Sequence, residues 1–251
     1  MKIKILLVGI TIFLFSCVSK QKMVYLNTSN NNLSSQNSYE PVLQPDDILS
    51  IMVTSENPEV AAPYNLPLTS VVNSGEDASQ QRLQSYIIDK NGNIQFPLIG
   101  NIKLSGLTKT EANQKIMSVL KSHVRDALVH IRILNFKVSV LGEVAKPGSF
   151  NIKSERITIF EALSLAGDLT IYGKRNNVLL IREENGVKSI NRIDLTNSQI
   201  LESPYYYLNQ NDVIYVEPNG TRINSSAVGP NITVGISALS LLITIIVLVT
   251  K

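Results

Sequence analysis

The end of the chain sets the strongest limit on how this protein can fold. Residues 232–250 number nineteen and carry no charged side chain, whereas charged residues make up 17% of the whole sequence. As an α-helix, such a segment would be about 28 Å long, enough to cross a thin bilayer. We therefore expect a transmembrane helix over 232–250, preceded by a linker over 219–231.

The start of the chain carries a second membrane signal. Residues 1–16, MKIKILLVGITIFLFS, place two lysines before an apolar run that ends in a small residue, which is typical of a secretory signal peptide. The segment from Leu14 to Cys17 resembles the lipobox of bacterial lipoproteins, which implies that Cys17 is acylated. The alternative is a plain signal peptide followed by an incidental cysteine. Residues 17–41 are rich in Ser, Asn and Gln, so after Cys17 we expect a disordered tether.

Residues 42–135 predict a small mixed sheet with one helix. The stretch LQPDDILSIMV runs from a Pro-Asp turn into a strand, and Asn91-Gly92 is a hairpin signal. Thr108 and Glu111 have the spacing of a capping box at the start of a helix. The alternation in ALVHIRIL then indicates a half-buried strand.

The plan of the first strand recurs near the end of the second unit. In LNQNDVIYVEP, Leu208 and Asp212 occupy the places that Leu43 and Asp47 hold in LQPDDILSIMV. We interpret the aspartates as turn residues that lead into strands. A catalytic or metal-binding role is disfavoured because no base or further ligand lies nearby in the sequence.

Residues 136–218 predict a β-grasp unit, a small mixed sheet with one helix packed on it. Two strands surround a Pro147-Gly148 turn, in which Gly148 is expected to take a positive φ. Thr158 and Glu161 have the spacing of a capping box at the start of a helix. Gly167 is expected to end that helix in the left-handed conformation, and Asn185-Gly186 is a hairpin signal. The predicted fold class is therefore α+β, with two such units followed by the C-terminal helix.

The sequence gives no sign of catalysis or of a cofactor. It contains neither phosphate-binding glycine motif and no G-x-S-x-G elbow, and His123 and His130 have no evident partners. We expect no enzyme, no metal and no cofactor. The net charge of +3 is spread without basic runs, which makes nucleic acid a poor candidate partner. The cluster Tyr205-Tyr206-Tyr207 has two interpretations: stacking on sugar rings, or plain strand packing and subunit contact.

Two stretches resemble a known family. PDDILSIMV and IDKNGNIQFPLIGNIKLSGLTKTEA are similar to the N-terminal export domain of bacterial polysaccharide export outer-membrane lipoproteins. VSVLGEVAKPGSF with TIFEALSLAGDL is similar to the soluble-ligand-binding β-grasp repeat that follows it in that family. Relatives carry two or more such repeats, and one is found here.

The resemblance implies an export channel. Such proteins form homo-oligomeric rings whose C-terminal helices make an outer-membrane barrel, fed by an inner-membrane polysaccharide copolymerase. The lipid would lie on the periplasmic side and the helix would span to the cell surface. Four hydroxyl residues fall on one stripe of the helix and are the candidates for lining the lumen: Thr233, Ser237, Ser240 and Thr244. Close helix packing without a pore is the other explanation of this stripe.

Two functions follow from the sequence. The first is a channel for capsular or exopolysaccharide across the outer membrane. The second is a tethered periplasmic saccharide-binding or scaffold lipoprotein without its own pore. Lipid attachment contributes about 0.8 kcal/mol per buried CH₂ group, so a multiply acylated cysteine already holds the protein at a membrane. A helix added for anchoring alone would therefore be superfluous, which favours the channel.

Overall fold

The structure is a computed structural model that describes residues 23–27, 39–66, 69–70, 81–82, 85–184, 186–227 and 230–249. Two hydrophobic cores organise these residues. One is built from side chains between Leu43 and Ile131, and the other from side chains between Phe136 and Val216. Ile133 packs against both cores, so the two units meet at the end of a strand.

The first unit is built on a three-stranded sheet. Its elements are β1 (Ile48–Thr54), α1 (Pro58–Ala61), β2 (Thr69–Ser70), β3 (Gln81–Arg82), β4 (Tyr86–Ile87), β5 (Asn93–Phe96), β6 (Gly100–Lys103), α2 (Lys109–Leu120) and β7 (Leu128–Ile133). The sheet has the order β4-β1-β7, while β2-β3 and β5-β6 form separate pairs. Every strand pair described in this unit is antiparallel, so the mixed sheet expected here is not found.

The second unit is a five-stranded mixed sheet with one helix. Its elements are β8 (Lys137–Gly142), β9 (Gly148–Asn151), α3 (Ile159–Leu165), β10 (Gly173–Glu184), β11 (Val187–Ile193) and β12 (Val213–Pro218). The order is β11-β10-β12-β8-β9, and the central strands β12 and β8 run parallel. The unit begins with the hairpin of β8 and β9, continues with the helix α3, and ends with β12, which pairs in parallel with β8. This order agrees with the expected β-grasp fold. The α+β class is confirmed.

Both predicted helix starts are confirmed. The backbone N–H of Glu111 donates to the Thr108 hydroxyl, and the Glu111 carboxylate accepts from the Thr108 N–H at 2.8 Å. Thr158 and Glu161 make the same reciprocal pair. Gly167, with φ of 74°, follows the end of α3 in the left-handed region, as predicted.

The two predicted hairpin turns have different outcomes. Glu184 pairs with Val187 and Gly186 has a φ of 78°, so β10 and β11 form the expected tight hairpin. The Asn91-Gly92 turn instead joins β4 to β5, which pair with different strands, and the antiparallel pair lies between β5 and β6. The local turn signal was therefore correct, but the strand partners are set by packing elsewhere.

The internal repeat noticed in the sequence is a repeated structure. The side chains of Asp47 and Asp212 each accept a hydrogen bond from the backbone N–H three residues earlier, at 2.8 and 2.7 Å. The residues just before them, Asp46 and Asn211, have φ of 69° and 65°. Both carboxylates are buried, with 1% exposure each. The interpretation as turn residues that lead into strands is thus supported.

The two aspartates differ in their charged partners. Arg182 donates from Nη2 and Nε to Asp212 at distances of 2.7 to 3.2 Å, and also donates to the Tyr207 carbonyl. No ion pair forms at Asp47 within the described residues. Burial raises the pKa of Asp47 to about 6, against an ordinary value of 3.8, and the Gln44 N–H opposes this rise only in part.

Replacing Asp47 with asparagine is expected to stabilise the protein by about 2 kcal/mol at pH 8. A folded pKa above the unfolded one means that the carboxyl contributes stability below about pH 4, which is lost as the pH rises through 6. The amide keeps the acceptor for Gln44 and removes the buried charge. Urea unfolding of the full chain in non-ionic detergent, followed by far-UV circular dichroism from pH 4 to 8, measures this. An equal loss of stability between pH 4 and 6 in the variant would contradict it.

The prediction for Gly148 is wrong. Gly148 does not have a positive φ and is the first residue of β9, where it pairs with Val140. The special glycine is Gly142, with φ of 90°, at the end of β8. A Cβ atom there would lie 2.1 Å from the Val216 carbonyl oxygen on the parallel neighbour β12. The connection from Glu143 to Pro147 turns the chain without needing a left-handed Gly148.

The structure describes two parts of the expected tether, residues 39–41 and residues 23–27, and the second of these lies on the β-grasp unit. Leu26 and Asn27 donate backbone N–H groups to the carbonyls of Leu195 and Thr196, at 3.1 and 2.7 Å. The ring of Tyr25 meets the Phe160 ring edge-on, and its hydroxyl donates to Asp168. Residues 23–27, Met-Val-Tyr-Leu-Asn, are therefore bound on the β-grasp unit, because this mostly apolar segment is fixed by one aromatic anchor and two backbone bonds.

The C-terminal part contains two helices, α4 (Gly220–Ala227) and α5 (Pro230–Val249). The predicted linker over 219–231 is thus largely helical, and Asn219 caps α4 by accepting from the Arg222 N–H at 3.0 Å. The helix predicted over 232–250 forms as α5. Within the part of the chain that the structure describes, however, no helix has the length and apolar character needed to cross a membrane, so the transmembrane assignment is not supported.

Candidate functional site

A cleft of about 420 Å³ lies where the two units meet. It is bounded by residues 39–41, by Lys109 at the start of α2, by the end of β7 with Phe136, and by residues 153–156. The lining residues are Tyr39, Glu40, Pro41, Lys109, Arg132, Ile133, Phe136, Lys153, Ser154, Glu155 and Arg156. A concave site at a domain junction is a common place for a ligand to bind.

The junction itself is held by Asn135. Its side chain accepts from the Ile48 N–H at 2.9 Å and donates to the Asp46 carbonyl at 3.0 Å, on the first unit. Its carbonyl accepts from the Gln210 amide of the second unit at 2.7 Å. These bonds fix the two walls of the cleft relative to each other.

Local structure explains why charged side chains face the cleft. Arg132 is on the exposed face of β7, since Ile131 points into the core and the side chains of a strand alternate. After β9 the chain continues as Lys153-Ser154-Glu155-Arg156, four exposed residues between the buried Ile152 and Ile157. The buried neighbours fix the backbone, so the polar residues between them are presented outward.

The acidic side chains of the cleft are already engaged. Lys109 pairs with Glu155 at 2.6 Å. Glu40 accepts from the hydroxyl and the backbone N–H of Thr110, and these hydrogen bonds hold its pKa below the ordinary value. Three further cations, Arg132, Lys153 and Arg156, make no ion pair with any residue that the structure describes. The four cations of the cleft outnumber its two carboxylates, Glu40 and Glu155, so the lining has a net positive charge.

An aromatic stack forms one wall. Tyr39 stacks on Tyr207 with ring centroids 4.9 Å apart and an interplanar angle of 15°. The Tyr39 hydroxyl donates to the carbonyl of Leu208 at 3.1 Å, and burial raises its pKa to about 12. The Arg156 guanidinium lies 5.1 Å from the Tyr207 ring centre. The basic and aromatic parts of the site are thus one connected set of contacts.

The structure separates the three tyrosines of the predicted stacking cluster. Tyr207 meets Tyr39 and Arg156 at the cleft, while Tyr205 and Tyr206 pack against the second core. Tyr206 and Tyr207 meet at 73°, so they do not form one flat platform. Stacking of sugar rings on this cluster stays a prediction, and the contacts of Tyr205 and Tyr206 favour the packing interpretation.

The other predicted site residues lie apart from the cleft. Cys17 and the side chain of Thr233 fall outside the described residues. Ser237, Ser240 and Thr244 are exposed on α5, where the Ser240 and Thr244 hydroxyls donate to the carbonyls of Ser237 and Ser240, each at 2.8 Å. These donors are satisfied within the helix, so the stripe can face either a neighbouring helix or water.

No metal centre is seen in the described ranges, where no group of three or more His, Cys, Asp or Glu is placed to hold an ion. His123 lies near the Tyr64 ring, and His130 is exposed on β7 opposite Met52. The cleft was missed in the sequence because its residues come from four separate stretches. The one available signal was the run KSER, four polar residues between two isoleucines.

Comparison with known proteins gives two adjacent family matches. Residues 35–134 match the family described as "Polysaccharide biosynthesis/export protein", and residues 136–216 match the SLBB domain. The cleft residues belong to both regions.

Two curated relatives are similar to the chain. One is the "EPS I polysaccharide export outer membrane protein EpsA" of Ralstonia solanacearum, 28% identical over 68% of this chain and 46% of the relative. The other carries the same name in Ralstonia nicotianae and is 33% identical over 54% of this chain and 37% of the relative. The chain therefore spans less than half the length of either relative.

Proposed function

We propose that the chain, which matches the polysaccharide biosynthesis/export family and then the SLBB domain, is an outer-membrane component that exports a capsular or extracellular polysaccharide. The observation that carries this proposal is the order of the two matches, an export region followed directly by an SLBB domain. The family is one of export proteins and not of enzymes, as expected from the absence of catalytic motifs.

We further propose that the chain acts as a homo-oligomeric ring. Large apolar side chains of α5 are exposed around the helix, at 49% to 74% for Val234, Leu239, Leu241, Leu242, Ile243, Ile245 and Leu248. Leaving so much apolar area in water is unfavourable by about 25 cal/mol per Å². Packing of α5 from neighbouring copies, with the hydroxyl stripe turned toward a shared interior, would cover part of this area. The polymer would pass along that interior.

Two finer features complete the proposal. Cys17 is the acylated N-terminus of the mature chain and holds it at the periplasmic face of the outer membrane. An inner-membrane polysaccharide copolymerase delivers the polymer. The lipobox-like segment before Cys17 supports the first, and the resemblance to the export family supports the second.

The proposal is tested by deleting the gene and restoring it on a plasmid. Deletion should abolish polysaccharide at the cell surface while polymer accumulates inside, and the wild-type copy should restore export. A Cys17→Ser copy should be unprocessed or lost from the outer-membrane fraction. An unchanged amount of surface polysaccharide in the deletion strain would contradict the proposed export function. Native mass measurement of the detergent-extracted protein should give a multimer, whereas a monomer would favour a tethered scaffold without a pore.

Thiol labelling tests the orientation of α5. Cysteine at Ser240 or Thr244 should react readily with a small water-soluble reagent, because a polymer path must be wet, while cysteine at Leu239 or Ile243 should react slowly. The acylated Cys17 carries no free thiol and gives a low background. Equal labelling at all four positions would show that the hydroxyls only assist helix packing.

A further inference from the structure

We infer that the cleft between the two units binds an acidic sugar, one that carries a carboxylate, within the exported polymer. This inference rests on the proposed export function and deepens it by naming the chemical class of polymer that the chain accepts.

The charge balance selects an anion. Of the acidic side chains in the cleft, Glu155 is paired with Lys109 and Glu40 accepts from Thr110. Lys153 and Arg156 keep their charges without an acidic partner in the described part of the chain. The hydroxyls of a neutral sugar would accept only weaker hydrogen bonds from these two cations, whereas a carboxylate accepts charge-assisted hydrogen bonds from both and also offsets their charge.

The geometry selects a sugar over a small ion. The cleft has a volume of about 420 Å³, which is in the range of pockets that hold small organic ligands and is larger than a lone inorganic anion needs. Tyr39, Pro41 and Ile133 add apolar surface beside the cations. A pyranose ring offers apolar C–H faces to such a surface while its carboxylate meets the basic groups.

The contacts of Arg156 fix its position. Its guanidinium lies over the Tyr207 ring, and the next residues are tied to the Tyr206-Tyr207 segment by the bridge between Thr158 and Tyr207. An arginine held in this way presents a planar guanidinium group that can donate two parallel hydrogen bonds to one carboxylate. Lys153 is close in sequence and its carbonyl accepts from Arg132 at 3.1 Å, so the basic groups are arranged together.

The test is binding of oligogalacturonate, a polymer of carboxylated sugar, to the full-length protein in non-ionic detergent. Titration calorimetry should detect binding that weakens as salt is added, since screening acts on exposed charges. A neutral maltooligosaccharide of matched length should not bind. Replacing Lys153 and Arg156 together with glutamine should weaken the affinity for oligogalacturonate about tenfold or more. The charge-conserving variant Lys153→Arg, which leaves the stacked Arg156 in place, should retain most of the binding.

The control is Lys90→Gln, which removes an exposed lysine that does not line the cleft and should leave the affinity unchanged. Equal binding by wild type and the double glutamine variant would overturn the inference. So would equal affinity for maltooligosaccharide, competition by inorganic phosphate at equal concentration, or a changed oligomeric mass in the double variant, which would mark a subunit contact. Because binding is measured on purified protein, its failure leaves the deletion test of export intact.

Discussion

Replacing Asp212 with asparagine should lower the free energy of unfolding by about 3 kcal/mol or more. The change leaves the guanidinium of Arg182, itself buried, without the carboxylate that pairs with it at 2.7 Å. The amide oxygen can still accept from the Asn209 N–H that bonds to Asp212 at 2.7 Å, but the amide NH₂ group then faces the N–H donors of Arg182. Urea unfolding of the full-length protein at pH 7, followed by circular dichroism, measures the loss.

Both pKa values of this pair are raised, which favours the charged form of Arg182 but the neutral form of Asp212. Burial lowers the pKa of Arg182 but the bonds and charge of Asp212 outweigh it and raise the value, which favours the charged pair. Burial raises the pKa of Asp212, and Arg182 opposes that effect without cancelling it. We take the pair as ionised at neutral pH, because three N–H to oxygen contacts of 2.7 to 3.2 Å satisfy both groups.

A second variant separates the effect of leaving Arg182 unpaired from the effect of changing the turn residue Asp212. Arg182→Met with Asp212→Asn removes both charges, so it should be more stable than Asp212→Asn alone. The matched change Asp47→Asn, at the equivalent turn without an arginine, should stabilise the protein instead. If Asp47→Asn and Asp212→Asn had the same effect, the assignment of the buried ion pair would be wrong.

Replacing Gly142 with alanine should destabilise the second unit by about 3 kcal/mol or more. A φ of 90° is strained for any residue with a side chain, and the new Cβ would lie 2.1 Å from the Val216 carbonyl oxygen. Strands β8 and β12, the parallel pair at the centre of the sheet, would have to separate locally. Thermal unfolding of the purified protein should show a clearly lowered midpoint.

Gly148→Ala is the control for this substitution. Gly148 lies at the start of β9 without a positive φ, and a Cβ there would meet only Phe150 at 4.0 Å. We expect a change of less than about 1 kcal/mol, of either sign, because the backbone is compatible with alanine. A larger loss from Gly148→Ala than from Gly142→Ala would contradict the assignment of the two glycines.

Signals confined to a few neighbouring residues were predicted well. The capping boxes of α2 and α3, the left-handed Gly167 and the tight turn at Gly186 each depend on bonds within about four residues of the chain, so their chemistry is visible in the sequence. The same holds for the alternation of Val129 and Ile131 with exposed neighbours along β7. The repeated turn at Asp47 and Asp212 belongs to this class as well.

Contacts between distant segments were decided by the tertiary structure. Arg182 is 30 residues from Asp212, and only the pairing of β10 with β12 places them together, so Asp47 and Asp212 were predicted to have the same role. Glycine is required at Gly142 and not at Gly148, because a Cβ atom at position 142 would collide with a carbonyl group on β12. This strand is distant in sequence, so the turn residues alone could not predict the requirement.

The capping boxes, the repeated strand-leading turns and the α+β class were predictable from the sequence, because each follows from short-range hydrogen bonding and hydrophobic periodicity. The family resemblance rested on the order of these local features. Only the tertiary structure forms the cleft, where Tyr39 contacts Tyr207, which is 168 positions later in the chain, and Lys109 pairs with Glu155. Such contacts depend on how the two units are held together at Asn135. Many residues contribute to the free energy of that arrangement, so no single sequence motif predicts it.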